Sequence, residues 1–210
     1  MCDEAAGRTI RGMAADTTAR TRTALLLACG MAVGVATSFG QTYLSGAPSA
    51  FVNSASAWLL APFFVGSRIS SDRRAAGAGL VVCALQLVGY YATSQLRGFS
   101  SGGAILVFWG LCALVGGPLF GVAGRIWKAG PDRLRGLGAA VLAAAFLAEG
   151  TWVYLHVLHR YATAALWIAI GSLLALLMTR GLRELRWLPL TVAAGLAGEL
   201  LLTQIYAQSF

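Results

Sequence analysis

Two glutamates sit where a chain can least easily carry them. Glu149 lies in Phe146-Leu147-Ala148-Glu149-Gly150-Thr151-Trp152-Val153-Tyr154-Leu155-His156. Glu199 lies in Gly195-Leu196-Ala197-Gly198-Glu199-Leu200-Leu201-Leu202-Thr203-Gln204. Both stretches belong to long apolar runs. An ionisable side chain inside such a run is expensive and marks a functional site by default. A pair of carboxyls can deliver a proton and take one back, which is general acid–base chemistry. The two also share a depth. Each lies about 12 residues past the end of its run that follows a basic loop, or about 18 Å at about 1.5 Å per residue.

Residues three and four apart share a helix face. One such face carries Phe146, Glu149, Trp152 and His156; the other carries Gly195, Glu199, Thr203 and Tyr206. Other runs bring Gln86, Tyr90 and Thr93, then Asn53, Ser54 and Trp58, then Gln41, and Phe108 and Trp109, to comparable depth. Polar groups are disfavoured against lipid, so these faces are expected to surround a cavity in one half of a helical bundle. Glu149 and Glu199 are the candidate catalytic pair. Trp58, Tyr90, Trp109, Phe146, Trp152, Asn53, Gln86, His156, Thr203 and Tyr206 are the candidate substrate contacts. The structural alternative is that Glu149 bonds a helix backbone or pairs with His156. Trp127, Trp187 and Tyr161 read as interfacial anchors.

The elements that must position these residues follow from composition. The chain is 58% hydrophobic and 11% charged, against about 25% charged in soluble domains. Runs of about 20 apolar residues recur along its length, each enough to span a bilayer as a helix. The fold class is therefore all-α, a polytopic membrane helical bundle. A β-barrel would show short alternating segments instead. The net charge of +8 is spread between spans, without the basic face and stacking aromatics of a nucleic-acid binder. It suits topology signals and membrane lipids. The cysteines, Cys2, Cys29, Cys83 and Cys112, form no CxxC pair and read as small packing residues. His156 and His159 lack i, i+4 spacing, and no phosphate-loop, dinucleotide or nucleophile-elbow motif occurs. Neither a metal nor a cofactor is expected.

Seven transmembrane helices are expected, at 23–44, 50–66, 75–95, 104–124, 137–158, 162–179 and 187–207. The residues before the first span, Arg22 included, and the segments Ser67–Arg74, Arg125–Arg135 and Arg180–Arg186 together hold 14 of the 16 Lys and Arg. Cytoplasmic loops carry that excess, so the N-terminus is placed inside and the C-terminus outside. Residues 1–21 are expected to be a flexible cytoplasmic tail. The first apolar stretch continues too far for a cleaved signal, so residues 22–210 are read as one membrane domain of a multi-pass cell-membrane protein. Gly30-xxx-Gly34 and Gly117-xxx-Gly121 predict close helix approach, and Pro118 predicts a kink.

Asn53-Ser54-Ala55-Ser56-Ala57-Trp58-Leu59-Leu60, Val88-Gly89-Tyr90-Tyr91, Val115-Gly116-Gly117-Pro118-Leu119-Phe120-Gly121 and Phe146-Leu147-Ala148-Glu149-Gly150 resemble an actinobacterial family of small integral membrane proteins. The chain is also similar to the drimentine-type membrane terpene cyclases, and in layout alone to the fungal meroterpenoid cyclases. The resemblance implies proton-initiated cyclisation of a prenylated, farnesyl-type substrate that bears an indole. The residues suit that chemistry: acid and base from the glutamates, π-faces for a travelling cation, and exclusion of water. The same residues also fit a small proton-coupled transporter or a substrate-capture subunit, although no inverted repeat is visible. A non-catalytic membrane partner is a third reading.

Overall fold

The computed structural model describes residues 28–100 and 102–209. The tail expected over 1–21, with Cys2 and the start of the first span, lies outside them. The described residues form helices and connecting turns, with no strand among them. Helix α1 occupies 28–43. It is followed by three short pieces, α2 Gly46–Val52, α3 Ala55–Trp58 and α4 Leu60–Gly66. Helices α5 Asp72–Leu96 and α6 Gly103–Ala129 come next. Helix α7 Leu137–Ala148 runs directly into a nine-residue π-helix, Glu149–Val157. Helices α8 Tyr161–Met178 and α9 Leu188–Ser209 complete the chain.

Among the described residues, five stretches are long and apolar enough to cross a membrane: Asp72–Leu96, Gly103–Ala129, Asp132–Val157, Tyr161–Met178 and Leu182–Gln208. Only 17% of the most apolar window of α6 is buried, and Leu106, Val107, Leu111, Leu114, Val115 and Leu119 are exposed along it. An apolar face of that extent suits hydrocarbon, not water. The stretch containing α7 is the opposite case, with 56% of its window buried. It is the centre of the bundle, and it carries Glu149.

Helices in lipid gain little from hydrophobic burial against one another, so close contact falls to small residues. A Cβ on Gly30 or Gly34 would collide with the carbonyls of Val82 or Gln86, so this pair seats α1 against α5. The contacts advance together along both helices, ending with Ser38 Oγ 2.9 Å from Ser94 Oγ, so α1 and α5 run parallel. Gly117 lies on Gly79, and Gly121 on the carbonyl of Ala75, so α6 returns antiparallel to α5. Both glycine pairs do what their spacing predicts. Helix α6 continues through Pro118 as one element.

The basic segments meet at one end of the bundle. Arg125 pairs with Asp72 at 2.9 Å. An Arg186 N–H donates to the Arg133 carbonyl at 2.8 Å, and the Trp127 indole donates to the Met178 carbonyl at 3.0 Å. Arg97 lies at the opposite end. It donates to Thr42 Oγ1 at 2.7 Å and lies 4.4 Å from the Phe39 ring centre.

One expected element needs correction. The span placed at 50–66 is not a single helix: helical structure starts at Gly46 and breaks at Asn53-Ser54. Asn53 folds back, its Nδ2 donating to the Ser49 carbonyl at 2.8 Å. Ser54 takes an extended backbone, and its hydroxyl accepts the Ala57 N–H at 3.2 Å. A serine with that geometry starts a new helix.

Candidate functional site

The site is built on that break. Glu149, 4% exposed, projects from the first residue of the π-helix towards the start of α3. Its Oε2 accepts from the Ser54 hydroxyl at 2.8 Å and from the Ser56 backbone N–H at 2.9 Å. The two serine hydroxyls are 2.9 Å apart. From α8, the Trp167 indole N–H reaches both of them at 3.2 Å. The Tyr154 ring lies 4.9 Å from that of Trp167, tilted by 55°, and its hydroxyl donates to the Ala50 carbonyl at 3.2 Å. Ser54, Ser56, Phe146, Tyr154 and Trp167 are all buried. One carboxyl thus ties the broken segment to α7 and α8. An acidic group at a helix start also meets unbonded N–H groups and the positive end of the helix dipole.

The π-helix decides which side chains accompany Glu149. Its i→i+5 bonding brings Glu149 and Tyr154 onto one side. Trp152 and His156, whose rings are 4.9 Å apart, turn towards α9. The face expected to unite Phe146, Glu149, Trp152 and His156 therefore does not exist as one surface, because that grouping assumed α-helical phase. Phe146 is fully buried in the core, and His156 is exposed.

Glu199 sits half-buried on α9. One turn earlier, Gly195 packs on Ala148, the residue before Glu149. No direct hydrogen bond joins the two carboxyls. The Trp152 indole donates to Thr203 Oγ1 at 3.3 Å, and Thr203 donates to the Glu199 backbone carbonyl at 2.7 Å. Trp152 is thereby fixed to the turn of α9 that carries Glu199.

The remaining candidates form separate groups. Tyr90 donates to Gln41 Oε1 at 2.6 Å, and Gln41 donates to Asn53 Oδ1 at 2.7 Å. The Trp58 and Tyr90 rings meet edge-on at 5.9 Å, and the Gln86 amide donates to the Trp58 carbonyl at 3.1 Å. This network adjoins the Glu149 cluster through the Asn53–Trp58 segment. Trp109 packs on Phe108, which meets Tyr206 of α9 at 5.7 Å.

A groove of about 540 Å³ opens between the π-helix and α9. Its lining is Leu147, Thr151, Trp152, Leu155, His156, His159, Val192 and Leu196. This differs from the expected cavity, because neither Glu149 nor Glu199 lines it. Helical phase is again the reason: Leu147, Thr151 and Leu155 lie on the side of the helix away from Glu149.

Sequence reasoning missed Tyr154, Ser56 and Trp167. Asn53-Ser54-x-Ser56 could have signalled the serines, as polar residues that start a helix inside an apolar run. Tyr154 and Trp167 carried no such signal.

A family model described as a family of unknown function (DUF6518) matches residues 13–209. The chain belongs to this family. The DUF6518 match includes every residue of the carboxylate cluster. No curated protein matches the chain, and no solved structure does.

Proposed function

We propose that this DUF6518 chain is an integral membrane cyclase that folds a prenylated, farnesyl-type substrate by proton-initiated cyclisation. The observation that carries the reading is Glu149: a buried carboxyl at mid-helix, held by Ser54 and Ser56, beside Tyr154 and Trp167, with Glu199 one turn beyond the contact of Gly195 with Ala148. One carboxylic acid protonates a terminal alkene. Ring closure moves the positive charge along the chain, and a carboxylate removes the final proton. The product is then an isomer of the substrate, with no other reagent consumed. Aromatic faces stabilise the passing cation, and the apolar surroundings keep water from quenching it. The groove beside Trp152 gives a prenyl chain a route in from the bilayer.

In this reading the bundle has seven crossings in the cell membrane, with the N-terminus inside. What supports it is the gathering of three basic segments at one end, as expected of cytoplasmic loops.

The test is to supply a farnesylated indole to membranes containing the protein and to seek a product of identical mass. Glu149→Gln and Glu199→Gln should each lower product formation by about 10²–10⁴-fold while the protein still inserts. Full activity in both variants removes the carboxyls from the chemistry.

A second reading rests on the broken helix at Asn53-Ser54 and the π-helix at mid-span, since discontinuous helices build substrate sites in transporters. It predicts proton-coupled movement of an unchanged substrate. Gln variants would then still bind but lose dependence on the pH gradient.

A further inference from the structure

At the basic end of the bundle, a second groove of about 490 Å³ is lined by Arg133, Arg186, Trp187 and Leu190. Two neighbouring cations of this end are already engaged: Arg125 pairs with Asp72, and Arg135 with Asp132 at 3.0 Å. Neither Arg133 nor Arg186 has a carboxylate partner among the described residues. Arg186 is oriented by the bond from its Nη2 to the Arg133 carbonyl and by the Trp187 ring, 5.3 Å from its guanidinium carbon. Both arginines are exposed, so their remaining N–H groups can meet a ligand. The Trp187 indole N–H is a buried donor with no acceptor among the described residues. Leu190, on the first turn of α9, is 64% exposed.

The arrangement has a polar end and an apolar end. Two unpaired guanidiniums in a groove suit a phosphate, for which arginine offers paired donors. Leu190 extends the same groove onto a membrane-crossing helix, where only hydrocarbon can cover it. We propose that this groove binds an anionic phospholipid, its phosphate held by Arg133 and Arg186 and one acyl chain lying over Leu190 and α9. Basic pockets between helices at the cytoplasmic surface recognise headgroups in this way. A phosphate without a chain leaves Leu190 uncovered, and a zwitterionic lipid offers the arginines no net charge.

Thermal unfolding of the purified full-length protein in phosphate-free detergent solution tests this. Phosphatidylglycerol should raise Tm by about 2–4 °C, because a ligand bound only to the folded state stabilises it. Phosphatidylcholine and inorganic phosphate should not. The shift should vanish in Arg133→Gln/Arg186→Gln and persist in Arg73→Gln/Arg74→Gln. An undiminished shift in the first pair, an equal response to phosphatidylcholine, or full replacement by inorganic phosphate would overturn the proposal. A measurement on the unaltered protein stands beside these. Extracted from vesicles of equal phosphatidylglycerol and phosphatidylcholine, it should retain phosphatidylglycerol at about one equivalent in native mass spectrometry. Retention without preference would also overturn it.

Discussion

Glu149 spends one oxygen on two donors from a single turn of chain, Ser54 and Ser56. Ser54 is the more heavily used, because it also accepts the Ala57 N–H and the Trp167 indole. Ser54→Ala leaves a buried carboxyl oxygen and a helix start each short of a partner. Such losses cost about 1–3 kcal/mol, so a lowered Tm in detergent is expected. Tyr154→Phe removes the hydroxyl that bonds the Ala50 carbonyl and should cost about 0.5–1.5 kcal/mol. Equal stability of Ser54→Ala and the parent would show that Glu149 is anchored elsewhere. At this scale the sequence displayed the charge but not its setting. Glu149 and Glu199 stand out against leucine and alanine. Ser54 is placed on an inward face but not as their partner, and Ser56 is passed over, because serine among alanines in an apolar run reads as packing. Tyr154 was hidden for a geometric reason: it joins Glu149 only at the i+5 spacing of a π-helix, which no residue type announces.

The elements were easier to read than their irregularities. Hydrophobic length placed α5 to α9 within a few residues, since lipid demands continuous apolar runs. The break between α2 and α3 is marked only by Asn53-Ser54 inside an otherwise apolar stretch, so length alone could not show it. The cyclase and transporter readings both rest on irregular elements of this kind, while regular packing rests on glycine. A Cβ on Gly66 would overlap the Gly121 carbonyl, whereas one on Gly110 meets nothing within 4 Å. Gly66→Ala should therefore separate α4 from α6 and lower stability by about 1–3 kcal/mol. Gly110→Ala should be neutral or mildly stabilising, since alanine is the better helix former by about 1 kcal/mol. The comparison is made by thermal unfolding, and equal effects would refute the role given to Gly66.

Across the whole molecule, ten Lys and Arg of three segments gather at one end, and Arg97 is held at the other. Cysteine labelling in a cysteine-free background checks the orientation. A cysteine added after Phe210 should react only with reagent applied outside the cell, and one in place of Lys128 only after permeabilisation. The reverse pattern would invert the proposed topology.

The bond between Ser54 and Glu149 spans 95 residues of chain, and this bears on biogenesis. The ribosome delivers Ser54 and Ser56 to the membrane long before Glu149 emerges. When the α7 span enters the bilayer, the donors for its carboxyl are already in place. A chain begun at Gly103 would bring Glu149 into lipid without them, at a penalty on the order of 3 kcal/mol. The order of synthesis thus supplies each partner before the charge that needs it.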